Sequence, residues 1–592
     1  MNIRLSIVYL IILTITITLL SRVYFLSIKS NTYYEELSKN NYINRVNKIP
    51  IRGIIEDRNG EKLAINEMGF AVLIKPHLSS HNKKEDLEKI IDLIVKHFPQ
   101  YEKEKLIKEY KKEDSSYNHD FIKIIDYIAY EEFFSKYTIL SSKEDIKIES
   151  STKRYYPQKE VASHIIGYVG QASKIDILNN ELSSYNGIIG KNGLEKYYNT
   201  KLQGEMGYKD VKVNALNEEI EILDSKEPSI DNNIKITLDV KLQKYIQEIF
   251  TGKSGAVVVM DAKNGEILSA ASFPEFDNNI FARGISVKEW NEMRNDFNHP
   301  FTNKIINGLY PPGSVIKMGV ALGFLENGIK DNFTVNCSGS LTIGNRNFRC
   351  WKSSGHGVVN FRRAIAESCD DFFYKGSLKI GINKISHTLD KLGFGQQSGI
   401  DQINEFFGVN PNKEWKEKKY NQPWYVGETV ITSIGQGNML VTPIQVARYT
   451  AYVATGKLPK PHFYKANYEE PKEVDIPSEY LDVIRKGMYD VSYAEKGTAS
   501  RHINSQVTIA SKTGTAQVVS IPQSEKVRMK ESELQYYQRS HGWITTYGPF
   551  KNPQYVVTVL EEHGGHGGEA TGEITSKIYD KLYELGYITS KD

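Results

Sequence analysis

Ser314 and Lys317 stand three positions apart at the end of a Pro/Gly turn, in Tyr310-Pro311-Pro312-Gly313-Ser314-Val315-Ile316-Lys317. A helix that starts near Gly313 puts both side chains on one face. A serine hydroxyl attacks a carbonyl only with a base within hydrogen-bond reach. Lys317 can be that base if nearby positive charge or burial keeps it neutral. The spacing is not diagnostic, because Ser150 and Lys153 repeat it where nothing else suggests a site. Two later segments add specificity. Ser368-Cys369-Asp370 interrupts the apolar spacing of residues 361–376, and Ser511-Lys512-Thr513-Gly514-Thr515-Ala516 follows the apolar stretch 507–510 as a strand edge would. Ser-x-x-Lys, then Ser-x-Asp, then Lys-Thr-Gly, in that order, is a much more specific signal than any one of them alone.

A second group is close in sequence to the first. Cys337, Cys350 and Cys369 fall in one short region with His356 among them. An odd thiol count is awkward in an oxidising compartment. A tetrahedral zinc site built from Cys337, Cys350, His356 and Cys369 uses every thiol, and Cys3His is an accepted ligand set. The alternative is a Cys337–Cys350 disulfide with Cys369 as a small core residue. The segment His563-Gly564-Gly565-His566-Gly567-Gly568-Glu569 reads as a flexible glycine loop at the rim of a cleft rather than a second metal site. His502 and His541 take no assignment.

These groups need a scaffold, and 592 residues are enough for two or three domains. A net charge of +3 gives no reason to propose nucleic acid. Residues 5–20 form an uncharged apolar run that Val23-Tyr24-Phe25-Leu26 extends past Arg22, near the length of one membrane crossing. No small-x-small cleavage site follows it, so it reads as an anchor and not a removed signal peptide. Arg4 in the leader favours an inside N-terminus, which places the bulk of the chain outside the cytoplasm.

After the anchor, residues 31–47 read as a polar helix, and Asn59-Gly60 marks a hairpin turn. Residues 84–149 are charged with helical spacing. Arg154, His164 and Glu195 lie in or beside a glycine-rich segment and read as a structural polar network at a domain joint. A new unit starts near Asn232: a strand at 233–238, a helix at 242–249 and a hairpin at 256–270 predict mixed α/β structure with antiparallel pairing. Residues 519–537 read as a loop, two strands follow at 543–547 and 555–560, and a helix at 574–585 closes the domain.

The three motifs together resemble those of the penicillin-binding proteins and serine β-lactamases. Across nearly the whole chain the sequence resembles a class B penicillin-binding protein, most of all the penicillin-binding protein 2 group of elongation transpeptidases. The resemblance includes Arg52-Gly53 through Asn59-Gly60, Arg154-Tyr155-Tyr156-Pro157, Ala162-Ser163-His164, residues 190–195, Gly435-Gln436-Gly437, Thr442-Pro443 and His541-Gly542-Trp543. Asp370 stands where many relatives have Asn, and Ser511 where Gly is common. The implied fold is multidomain α+β: leader 1–4, transmembrane anchor 5–27, juxtamembrane and non-catalytic pedestal 28–230, and a transpeptidase domain 231–592.

The resemblance implies a serine-type D,D-transpeptidase of the bacterial inner membrane, with its catalytic domain in the periplasm. Ser314 would be acylated by a D-Ala-D-Ala stem peptide with Lys317 as base. Ser368 would relay the proton, and Asp370 would hold the network around Lys317. Lys512, Thr513, Gly514 and Thr515 would supply positive potential and carboxylate binding, and the amides of Ser314 and Thr515 the oxyanion hole. The acceptor would be a meso-diaminopimelate amine, and β-lactams would block the same serine. No cofactor is needed for the chemistry, although some relatives carry a metal at positions matching Cys350, His356 and Cys369. The implied partners are a SEDS-type membrane glycosyltransferase and rod-complex scaffold proteins. A division-specific transpeptidase, a D,D-carboxypeptidase, a β-lactamase and a penicillin sensor share the motifs and are the competing readings.

Overall fold

The computed structural model describes residues 3–29, 43–79, 84–118, 120–214, 219–519 and 530–592. The apolar run forms the helix Ile3–Tyr24, prolonged by a wider turn over Phe25–Lys29. Its 27 residues rise about 40 Å at 1.5 Å each, enough to cross a hydrocarbon core. The hydroxyls of Thr14, Thr16 and Thr18 donate to carbonyls one turn back, so the span carries no unpaired side-chain hydroxyl at these positions.

The chain divides into two compact units. The first gathers residues up to Gly53 with Ala172–Gly187 and Thr200–Asn233. It holds an antiparallel sheet in which Gly207–Val213 lies between Ile43–Lys48 and Glu219–Lys226. Arg45 opposes Asp210 across this sheet and donates to both carboxylate oxygens, at 2.7 and 2.6 Å. The helix expected at 31–47 is therefore a strand over Ile43–Lys48; residues 31–42 of that expectation lie outside the described residues.

The second unit gathers Ile54–Gln171, Ile188–Asn199 and Ile234–Asp592, and so holds all three sequence motifs. The Asn59-Gly60 turn joins Ile55–Glu56 to Lys62–Ile74 as expected, and Asp57 caps it by accepting from the amides of Asn59 and Glu61. The charged stretch 84–149 is helical in Lys84–His97 and Lys103–Glu113 and again, briefly, in Tyr130–Phe134 and Tyr137–Ser141, but not throughout. Ile122–Ala129 and Ile146–Tyr155 are strands flanking Lys62–Ile74. Their β-branched residues find a buried sheet face against Ile91, Ile94 and Phe98, and that packing outweighs the charge pattern. Ser150 and Lys153 lie on the second of these strands, so the repeated Ser-x-x-Lys spacing is a strand and not a helical pair.

The catalytic sheet is antiparallel with five strands: β1 (Gly255–Asp261), β2 (Ile267–Phe273), β3 (Ala510–Ala516), β4 (His541–Gly548) and β5 (Tyr555–Glu561), in the order β2-β1-β5-β4-β3. Val257, Val258, Val259 and Met260 are all inaccessible, which explains a continuous apolar run with no alternation: both faces are covered. Only Ile234–Lys235 of the strand expected at 233–238 pairs regularly, in parallel with Ile55–Glu56. Helices α1 (Lys317–Glu326), α2 (Phe361–Ala366), α3 (Asp370–Ile380), α4 (Pro443–Thr455) and α5 (Gly567–Glu584) build the rest of the site's support. α1 is buried on every side from Lys317 to Leu325, so it carries no polar stripe. Thr442 and Gln445 form a capping box at the start of α4, with Pro443 in its first turn.

Candidate active site

Ser314 sits in the single 3-10 turn Gly313–Ile316 that leads into α1, and it remains half-buried, open to a ligand. Gly313 has φ +54°, and a Cβ there would lie 2.7 Å from the Thr515 carbonyl and 3.2 Å from the Thr515 amide nitrogen. Only glycine lets the turn that carries Ser314 lie this close to β3. Gly313 also donates to the Gly435 carbonyl at 2.9 Å, which assigns a role to the Gly435-Gln436-Gly437 segment.

Ser368 lies between α2 and α3 with φ +51°, a costly conformation for a residue with a Cβ. The strain aims its hydroxyl between two lysines, 3.3 Å from Lys317 Nζ and 3.0 Å from Lys512 Nζ. Lys317 also donates to the Ser368 carbonyl at 2.9 Å and to Asp370 Oδ1 at 2.6 Å. Both lysines are fully buried. Burial, then the charge of Lys317, pushes Lys512 well below the usual lysine range. Burial raises the Asp370 carboxyl, and Lys317 opposes that rise. Two ammonium groups sharing one hydroxyl in a dry site repel strongly, so the pair can hold and pass a single proton through Ser368. The contact expected between Ser314 and Lys317 is not a direct hydrogen bond among the described residues: α1 begins only at Lys317, and the amine turns toward motif two.

β3 lies at the edge of the sheet, with Lys512 opposite Thr545 and Thr515 opposite Gly542. Thr513 Oγ1 is 2.6 Å from Thr498 Oγ1, and Gln436 donates to the Thr515 carbonyl at 3.1 Å. Thr498 and Trp351 are site residues that sequence reasoning missed, because nothing in their local pattern shows a partner 15 or 19 positions away. Ser511, the departure from the common glycine, bonds to the Ser492 hydroxyl in the interior. The glycine loop expected at the cleft rim packs onto motif three: Gly567 donates to Thr515 Oγ1 at 3.4 Å and opens α5. The loop expected at 519–537 lies outside the described residues over 520–529.

Cys337, Cys350, His356 and Cys369 come together, all buried, with ligand atoms within 4.8 Å of one another. The three cysteines are free, so the Cys337–Cys350 disulfide does not form here. His356 Nδ1 lies 3.5 Å from both Cys337 Sγ and Cys350 Sγ. A tetrahedron with metal–sulfur and metal–nitrogen bonds of about 2.3 and 2.05 Å has an S···N edge of roughly 3.5 Å. Within this group a hydrogen bond from Cys369 favours the Cys350 thiolate, holding it down to about 3, while Cys369 is driven up. The cluster is a candidate metal site by donor set and by spacing. Arg154 and Glu195 do meet, at 2.6 Å in the interior, but His164 is not part of that pair. Its Nε2–H donates to the Pro300 carbonyl at 2.6 Å, and burial lowers it to about 4, which keeps the ring neutral.

Residues 255–581 match the penicillin-binding protein transpeptidase domain, and residues 47–236 match the penicillin-binding protein dimerisation domain. The chain belongs to the penicillin-binding protein transpeptidases of the MrdA/PBP2 group. It is 33% identical to the peptidoglycan D,D-transpeptidase MrdA of Escherichia coli K12 over 95% of this chain and 91% of that one. The MrdA of Acinetobacter baumannii is 34% identical over 91% of this chain and 82% of its own length. Among solved structures, PBP2 from Helicobacter pylori in complex with MreC is 44% identical, with a TM-score of 0.86 over 92% of this chain and 99% of that one. This class B penicillin-binding protein is accordingly a serine-type D,D-transpeptidase of the elongation type, with a dimerisation domain preceding its transpeptidase domain in sequence.

Proposed function

We propose that Ser314 is the nucleophile of this transpeptidase and that the two buried lysines flanking Ser368 Oγ manage its proton. The carrying observation is that shared hydroxyl, 3.3 Å from Lys317 and 3.0 Å from Lys512. Lys317 in its neutral form takes the Ser314 proton as Oγ adds to the carbonyl between the two D-alanines of a stem peptide. Ser368 passes that proton to the leaving nitrogen, and D-alanine departs to leave an ester on Ser314. An amine of a neighbouring strand, such as that of meso-diaminopimelate, adds to the ester and returns the proton by the same route. The amides of Ser314 and Thr515 bind the oxyanion, where charge appears only in the transition state. Lys512, Thr513 and Thr515 receive the terminal carboxylate, and the free edge of β3 aligns the peptide as an added strand. Asp370 and Gly514 hold the network and the close packing.

The Cys3His cluster fits structural zinc, which would hold the segment before Asp370 in place and takes no part in proton transfer. The anchor would leave residues 1–4 in the cytoplasm and span 5–27, with the pedestal from 28 and the transpeptidase domain from 231 in the periplasm. The H. pylori complex with MreC supports a rod-complex scaffold as a partner of this chain; a SEDS-type glycosyltransferase as a second partner follows from the family resemblance alone. Intact-mass spectrometry of the protein with and without benzylpenicillin tests the reading. A covalent adduct on wild type that is lost in Ser314→Ala is expected; no adduct on folded wild type would overturn it.

A further inference from the structure

Behind the nucleophile turn lies a buried ion pair that the proposed reaction does not use. Tyr310, four residues before Ser314, exchanges backbone bonds with Val441 at 3.0 and 2.9 Å, and its phenol donates to Glu562 Oε1 at 2.7 Å. The other oxygen of Glu562 lies 3.1 Å from Lys304 Nζ. Lys304 is 2% exposed and donates further to Ser254 Oγ at 2.9 Å and to the Asn298 carbonyl at 2.6 Å. Burial works to raise the Glu562 carboxyl, but Lys304 and hydroxyls from Ser254 and Tyr310 hold it below its ordinary value.

Glu562 directly follows β5 and opens the glycine loop that reaches motif three. The next residue, His563, has φ +57° and donates its amide to His541 Nδ1 at 3.1 Å, and His541 pairs with Ala516 beside Thr515. The His541 ring stands edge-on to Tyr310, with centroids 5.5 Å apart. At the far end of the loop, a Cβ on Gly567 would meet the Gly514 carbonyl at 2.1 Å, so the loop seats directly on motif three. One residue therefore grips the chain before Ser314 by its side chain and begins the loop that supports Thr515 by its backbone.

We infer that Glu562 is a positioning residue: with Lys304 it clamps Tyr310 and the glycine loop together, and so sets the distance between the amides of Ser314 and Thr515. This rests on the proposed roles of those two amides. A buried ion pair is a weak source of stability, because desolvation offsets most of its attraction, but its hydrogen bonds fix a geometry well. An oxyanion site depends on such fixing, since removing one donor costs about 10²–10³ in rate.

The test compares Tyr310→Phe, which removes one hydroxyl, and Glu562→Gln, which keeps the shape and removes the charge. The probes are a D-alanyl ester donor and its thionoester analogue, whose sulfur accepts hydrogen bonds poorly. Each variant is expected to lose about tenfold in acylation rate constant on the ester, with little change in non-covalent affinity, and distinctly less on the thionoester. The double variant should lose no more than the worse single one, because both changes break the same clamp. Unchanged ester acylation in both variants, or equal losses on ester and thionoester, would overturn the inference. Wild type serves as the control for the chemistry itself: if it forms no acyl-enzyme, the serine reading fails instead.

Discussion

The Trp351 amide donates to Asp370 Oδ2 at 2.9 Å, while Asp370 Oδ1 accepts from Lys317 at 2.6 Å. Trp351 follows Cys350 and Asp370 follows Cys369, so two members of the Cys3His cluster flank the carboxylate that holds the candidate base. The Trp351 indole N–H reinforces this link by donating to the Glu367 carbonyl at 3.0 Å.

Loosening the cluster should therefore slow acylation without touching Ser314. Cys350→Ser, or metal stripping under reducing conditions, is expected to lower the acylation rate by tenfold or more. A lost ligand or its supporting partner commonly costs 10- to 100-fold in metal affinity or activity. Elemental analysis beside a fluorescent penicillin time course checks it. Metal-free protein that acylates at the wild-type rate would show that the cluster and Asp370 are independent.

Replacing Lys512 with Met keeps an unbranched chain as far as the ε carbon and removes the second amine from Ser368 Oγ. Acylation should fall by about 10²–10⁴, the range of one positioned acid–base group. Ser368→Ala should fall as far, because it leaves two buried amines without the hydroxyl between them. Stopped-flow acylation measures both. A loss below threefold in either variant would remove Ser368 from the proton path.

Glu275 predicts a pH dependence of stability. Its Oε1 accepts from the Ala162 amide at 3.0 Å, and burial raises the carboxyl to about 8 against the opposing pull of that amide and of the Gln243 and Gln247 side chains. Below about 4.5 both folded and unfolded chains hold the proton, and Glu275 adds no pH dependence. Between about 4.5 and 8 only the folded chain holds it, so stability falls as pH rises, by at most about 1.4 kcal/mol per pH unit. Glu275→Gln stays neutral and should lose less of its melting temperature between pH 5.5 and 8. Parallel wild-type and variant curves would show that Glu275 titrates normally.

The sequence motifs and the sheet strands were legible because each is a short local pattern: Ser-x-x-Lys, Lys-Thr-Gly, and the apolar runs of β1 and β5. What could not be read were contacts that depend on chain closure. Ser368 adopts a left-handed conformation that no neighbouring glycine announces, and that conformation puts its hydroxyl between lysines 51 and 144 positions away. Ile122–Ala129 carries charges at Lys123 and Asp126 that suit a helix surface, and only its packing in the sheet makes it a strand. His164 looked like a partner of Arg154 and Glu195, yet its ring faces the Pro300 carbonyl. The cluster of Cys337, Cys350, His356 and Cys369 was legible in composition, while its closeness to Asp370 came from the motif they share.

Arg154 and Glu195 give a stability prediction whose sign depends on how the pair is broken. Their side chains are 1% and 0% exposed, and Tyr156 also donates to the same Glu195 oxygen at 3.2 Å while accepting from the Val169 amide at 2.9 Å. Glu195→Ala removes the carboxylate and leaves the buried guanidinium without its counter-charge, with the neutral Asn66 amide oxygen still accepting at 3.2 Å, so unfolding in urea should show a loss of about 3 kcal/mol. Arg154→Met combined with Glu195→Leu removes both charges at similar volume, and much of that loss should return, because the desolvation cost disappears with the pair. If the double variant is as unstable as Glu195→Ala, the hydrogen bonds to Tyr156 and the rest of the segment, rather than the opposed charges, hold this part of the pedestal.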